Sequence, residues 1–207
     1  MPGGREVGPQ VANRVVLVGL IAERVTGRSY ASLLRSFVFR RLRRNATSFP
    51  SGTALPGPFI HGYSVGPDGS YTDLSRLISA SGAWASGAVV STPRDLGAFI
   101  RGNLGGRLFP SRLRRDQLRF VRGGSSDPPG PGSNSAGLAI FSYRTKCGTM
   151  YGHTGSFPGY AQFAAASRHG TRSVTSSINI AGSPLGRELL AKLRAMQRTL
   201  VCEALRG

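Results

Sequence analysis

The pattern of apolar and polar positions divides the chain of 207 residues into a helical first part and a strand-rich second part. From Asn13 to about Arg44, apolar residues recur at helical spacing, first in VVLVGLIA (15–22) and then, after Gly27, in RSYASLLRSFVFRRL (28–42). A glycine just past a helical run supplies the left-handed residue that closes a helix, so Thr26-Gly27 predicts two helices joined by a tight turn. VVLVGLIA is too short to span a bilayer, and Glu23 and Arg24 stand where the small residues of a signal-peptide cleavage site belong. It reads as a buried helix.

Residues 45–73 are rich in Gly, Pro, Ser and Thr and predict a long irregular connection that includes HGY (61–63). Loops of that length are often functional. STPRD (91–95) then places Thr92 as N-cap, Pro93 at the first helical position and Asp95 in the first turn of a further helix. GGSSDPPGPGSNS (123–135), poor in apolar residues, predicts a mobile surface loop. Beyond it GLAIFSY, TMYGHTG, YAQFAAAS and RSVTSSINI have strand length, with SRHG (167–170) as a turn between the last two, which predicts an antiparallel meander. From Pro184 helical spacing returns, with Leu185, Leu189, Leu193, Met196 and Leu200 forming a stripe able to cover one sheet face.

Charge alters this picture less than its size suggests. A net charge of +18 directs attention to polyanions. Yet of the 27 Lys and Arg only Lys146 and Lys192 are lysine, and the 25 arginines are spread along most of the chain. The densest runs, RRLRR (40–44) and SRLRRDQLRFVR (111–122), suit solvated helix faces, and they lack the interleaved aromatics of a nucleic-acid surface. Cys147 and Cys202 have neither metal-ligand spacing nor an accompanying cluster of His, Asp or Glu, so no metal site is expected. They are two buried thiols or one disulfide, the latter implying an oxidising compartment.

Chemistry gathers in YGHTGSFPGY (151–160), where His153, Thr154 and Ser156 offer donors and acceptors beside glycines that let another chain approach the backbone. A glycine-rich turn carrying a solvated histidine would read the same way, so the neighbouring segments decide. VVLVGLIAERVTGRSYASLL, HGY ahead of a long loop, GAVVSTPRDLGAFI and YGHTGSFPGYAQFAAAS, in that order, resemble the C-terminal part of the serine penicillin-recognising family: class C β-lactamases, serine D-alanyl-D-alanine carboxypeptidases and related esterases. The resemblance covers nearly all of residues 13–204, and the last segment, most specific of the four, is closest to the carboxypeptidase branch.

The resemblance implies acyl transfer through a serine ester, with substrate lying backbone to backbone along the HTG strand. His153 takes the position that keeps the cleft polar or positive. Thr154 would bind substrate or help hold its carboxylate, Gly155 clears the path, and the Ser156 N–H would be one oxyanion donor. The resemblance also implies a bridge between Cys147 and Cys202, and no cofactor. D-Ala-D-Ala peptides or β-lactam-like ligands become the expected partners, with nucleic acid or an anionic wall polymer as the alternative. An extracytoplasmic location is implied, although no signal peptide is evident.

The departures bear on activity. The family nucleophile lies in Ser-x-x-Lys, but Tyr143 precedes Lys146 by three residues and Leu189 precedes Lys192, so the motif is missing. No tyrosine begins a Tyr-x-Asn motif either; GPQVANRVV keeps at most Asn13 of it. No catalytic residue is therefore assigned. The expectation is a truncated β-lactamase/transpeptidase-like α/β fold, one incomplete domain over 1–207. A mainly helical lobe at about 14–120 sits beside sheet and helix at about 136–207, with about three antiparallel strands covered by a C-terminal helix at 184–204. The expected function is a fragment of a β-lactamase-related hydrolase, inactive as written. A partner chain supplying the rest, or a repurposed binding protein, is the alternative. In the family the first strands pair beside the last one, so their absence would leave RSVTSSINI as an open edge.

Overall fold

A computed structural model describes residues 9–43, 45–66, 68–180 and 186–207. Pro184 and Leu185 at the start of the expected C-terminal helix, and Arg44 of the basic run, lie outside the described residues, as does MPGGREVG at the N-terminus. Helix α1 (Pro9–Thr26) ends where the sequence predicts, with Gly27 at φ +65°. Ser29 caps α2 (Tyr30–Leu34), which continues through one wide π-helical turn at Arg35–Phe39 into α3 (Arg40–Leu42).

The expectation that VVLVGLIA is buried is corrected. α1 exposes Leu17, Val18, Leu20, Ile21 and Val25. Its contact with the chain is made instead around Gly19, where a Cβ would fall 2.9 Å from the Trp84 ring and 2.8 Å from the Ala85 Cβ. The missing side chain lets the helix approach the short 3-10 segment Ala80–Ser86.

The long connection carries a small hairpin, β1 (Tyr63–Val65) and β2 (Tyr71–Asp73), that the sequence pattern did not reveal. α4 (Pro93–Leu104) starts as predicted: the Thr92 hydroxyl accepts from the Asp95 amide at 3.2 Å, and Pro93 occupies the first turn. α5 (Ser111–Gln117) follows.

The main sheet has six strands rather than about three: β3 (Val121–Arg122), β4 (Ser133–Ala136), β5 (Phe141–Thr145), β6 (Gly148–Phe157), β7 (Tyr160–Ala166) and β8 (Ser173–Ile178). They lie in sequence order, every neighbouring pair antiparallel. β3 lies just before GGSSDPPGPGSNS (123–135), and β4 takes in the last three residues of that segment, whose composition concealed it.

α6 (Arg187–Arg206) covers one sheet face. Tyr143, Met150, Phe163, Ala165 and Val174 pack there with Val201, while Leu193 joins Ala161 farther along. On the opposite face Ile100 and Leu104 of α4 meet Ile140 and Ala166. Alternation along β6 thus sends Met150 and Thr154 toward α6, and Tyr151 and His153 toward the α4 side. Each large side chain so buried contributes roughly 1.5–3 kcal/mol. Cys147, just before β6, and Cys202 on α6 form a disulfide with Cα atoms 5.2 Å apart.

Candidate functional site

The site grows from unequal strand lengths. β5 pairs with β6 only from Gly148 to Gly152, whereas β7 accompanies β6 from Tyr151 to Phe157. Past Gly152 the outer edge of β6 has no strand beside it among the described residues, so alternate backbone N–H and C=O groups of 153–157 are left to meet a ligand or water.

Gly152 and Gly155 of this strand serve different ends. A Cβ on Gly152 would fall 1.9 Å from the Ala164 carbonyl oxygen, so its absence permits close strand packing. A Cβ on Gly155 would meet nothing nearer than Gln162 at 3.9 Å, which leaves clear space at the open stretch.

His153 stands at the start of that stretch. Its Nδ1–H donates to the Thr154 carbonyl, leaving Nε2 as the acceptor in the neutral ring. The Phe141 ring meets it edge-on at 5.0 Å. His153 is exposed on this strand, and desolvation by the neighbouring protein still draws its pKa below the ordinary histidine value, with the hydrogen bond to Thr154 opposing this in part. The shift favours the neutral ring, which makes this part of the wall polar more than positive.

Thr154 is 2% exposed, and its hydroxyl donates to the Pro128 carbonyl at 2.5 Å. Its side chain therefore ties β6 to the loop 123–132. That loop is held closely, contrary to the expectation of a mobile surface segment. The Gly130 amide donates to Ser126 Oγ (3.1 Å) and Asn134 Oδ1 (3.0 Å), the Tyr143 hydroxyl reaches Ser126 Oγ (3.1 Å), and Arg194 of α6 donates to the carbonyls of Gly130 and Gly132 (3.0 and 2.9 Å). Burial pushes the Tyr143 hydroxyl up to about 12, which keeps it a neutral donor. Ser156 is solvent-exposed on the open stretch.

Beyond Ser156 the chain turns at Pro158-Gly159, and Tyr160 brings in HGY. Its hydroxyl donates to the Ile60 carbonyl (2.7 Å) and lies 3.1 Å from Ser75 Oγ, which also accepts from the Gly62 amide at 2.7 Å. His61 Nδ1 is 2.6 Å from Asp73 Oδ2. The Ser75 hydroxyl and amide, followed by His61, hold the Asp73 carboxyl down at about 2. Sequence reasoning singled out HGY but missed Asp73 and Ser75, whose only local signal is the short Asp-x-Ser spacing.

Solved proteins with this arrangement are longer. A D-stereospecific amidohydrolase from Streptomyces sp. superposes with a TM-score of 0.73 at 30% identity, over 82% of this chain and 49% of its own. The D-amino acid amidase from Ochrobactrum anthropi SV3, complexed with D-phenylalanine, gives a TM-score of 0.81 at 21% identity over 95% of this chain and 58% of its own. A penicillin binding protein from Bacillus halodurans gives 0.69 at 17% identity, over 89% and 54%. The latter two, at such identity, establish the fold alone. The chain spans about half the length of these solved relatives. The Beta-lactamase family model matches residues 12–195, and on a match of that extent the chain belongs to the beta-lactamase family, the serine penicillin-recognising group of hydrolases.

Proposed function

We propose that the chain is the substrate-holding part of a hydrolase acting on D-configured amides or peptides, of the D-Ala-D-Ala carboxypeptidase type, and that as written it binds without acylating. The open edge of β6 beside the uncrowded Gly155 carries this reading, because an extended ligand adds to such an edge by main-chain hydrogen bonds. His153 would set the polarity of the wall. Thr154 would keep the strand and its neighbouring loop in place beneath the ligand. Gly155 would admit the ligand backbone, and the Ser156 N–H would face the substrate carbonyl oxygen. The D-stereospecific amidohydrolase named above, at 30% identity, supplies the choice of D-configured substrates.

Inactivity follows from the missing Ser-x-x-Lys and Tyr-x-Asn motifs. Loss of a nucleophile removes most of the rate of a serine hydrolase, and an oxyanion hole without its second donor recovers little. A fluorescent penicillin is expected to leave no label that survives denaturation and no change in intact mass. Covalent labelling of any serine, Ser156 being the first to check, would overturn this half of the reading. Retention of a D-Ala-D-Ala peptide that weakens in His153→Ala would support the binding half, and no retention would remove it. The polyanion alternative draws nothing from the relatives named above, since none is described as a nucleic-acid binder.

A further inference from the structure

We propose that the sheet face of β3–β6 turned away from α6 is a second ligand site, for a small ring-bearing anion whose carboxylate or phosphate is gripped by Arg122 and Arg144. The strand register assembles it. Arg122 stands opposite Ser135, Ser135 opposite Ser142, and Ser142 opposite Tyr151; two residues along, Arg144 lies between Ser133 and Thr149. Directly paired residues share a face, and residues two apart in a strand share it again. Tyr143 and Met150, on the intervening positions, are buried against α6, so these polar side chains project from the other side. They line a groove of about 540 Å³, within the size range of small-molecule sites.

Three features make this more than a polar surface. Arg122 and Arg144 form no side-chain hydrogen bond or ion pair among the described residues, and no acidic side chain lines the groove. They are two strands and two residues apart, roughly 12 Å between Cα atoms from ordinary sheet spacings, a span that two extended arginine side chains can close onto one oxyanion. At the inner end the rings of Phe120 and Tyr151 lie 5.5 Å apart, inclined at 31°. Both rings pack on the α4 core and also line the groove, offering a flat apolar wall. Guanidinium forks match carboxylate and phosphate oxygens, the serine and threonine hydroxyls can complete their hydrogen bonds, and the ring pair takes the planar part.

Calorimetric titration of the full 207-residue chain with phenyl phosphate and with benzoate tests the site and tells phosphate from carboxylate. Benzyl alcohol serves as the uncharged counterpart. Saturable binding of either anion is expected, with benzyl alcohol at least about tenfold weaker, and Arg122→Gln or Arg144→Gln each weakening it by roughly tenfold. Arg168→Gln removes the same charge from an exposed position elsewhere and should leave affinity unchanged, as should His153→Ala in the β6 cleft. Absence of saturable binding by both anions would overturn the proposal. So would an equal loss in Arg168→Gln, which would mean a response to net charge, or an undiminished affinity in the Arg122→Gln/Arg144→Gln double variant.

Discussion

The Thr154 hydroxyl donates to the Pro128 carbonyl oxygen at 2.5 Å, joining β6 to a loop 26 residues upstream. Both groups lie where water cannot easily replace the bond. Thr154→Val keeps the shape but removes the donor and leaves a buried carbonyl unpaired, which should cost about 1–3 kcal/mol. Urea denaturation checks the magnitude. Thr154→Ser should recover most of it, and a Val variant with an unchanged midpoint would show that the bond does not form.

Gly152 and Gly155 should separate stability from ligand binding. Gly152→Ala drives a methyl into the Ala164 carbonyl, with an expected loss of about 3 kcal/mol or failure to fold. Gly155→Ala has room and should move stability by no more than about 0.5 kcal/mol, while sharply reducing retention of a D-Ala-D-Ala peptide. Equal peptide retention in Gly155→Ala and the parent chain would show that the ligand does not pass over this residue.

The Cys147–Cys202 bridge closes a loop across 55 positions. In the chain-entropy model such a loop stabilises by roughly 4 kcal/mol. Denaturation with and without reductant should differ in that direction, and the Cys147→Ser/Cys202→Ser double variant should match the reduced chain. Coincident curves would remove the bridge from the account of stability.

The acid response should have two parts. For His153 the folded pKa is depressed, so folding favours the neutral ring; this contribution is complete above the ordinary histidine value and is lost as pH falls through the lower folded one. For Asp73 the folded carboxyl is depressed to about 2, so its contribution is complete above the ordinary aspartate range and fades as pH falls toward 2. Thermal melts across pH should lose the first step in His153→Gln and the second in Asp73→Asn. An unaltered profile in either variant would count against the corresponding shift.

Local chemistry made the ends of α1 and α4 legible, because Gly27 and the Thr92-Pro93 pair act within a few residues of themselves. Strands β6 to β8 were legible from short runs of strand length. The loop at 123–132 was not: its order comes from Thr154, Tyr143 and Arg194, and no local composition encodes partners 17 to 64 residues away. The exposed apolar side of α1 was misread for a related reason, since hydrophobicity says what a helix could bury and not what stands beside it. At the site, YGHTGSFPGY marked the right strand. It could not reveal that β5 extends no farther along β6 than Phe141, opposite Gly152, on which the open edge depends.

Gly62 and Gly159 meet backbone to backbone. A Cβ on Gly159, at φ +83°, would fall 2.7 Å from the Gly62 carbonyl carbon, and one on Gly62 would fall 2.4 Å from the Tyr160 ring and 2.9 Å from the Gly159 oxygen. Neither residue can acquire a side chain unless the other segment withdraws, so HGY and PGY form a single packing unit although they stand almost half the chain apart. Substitutions in one will be tolerated or rejected according to what the other carries. A library that randomises both segments together should recover folded variants that two separate libraries, each with the other segment fixed, would miss.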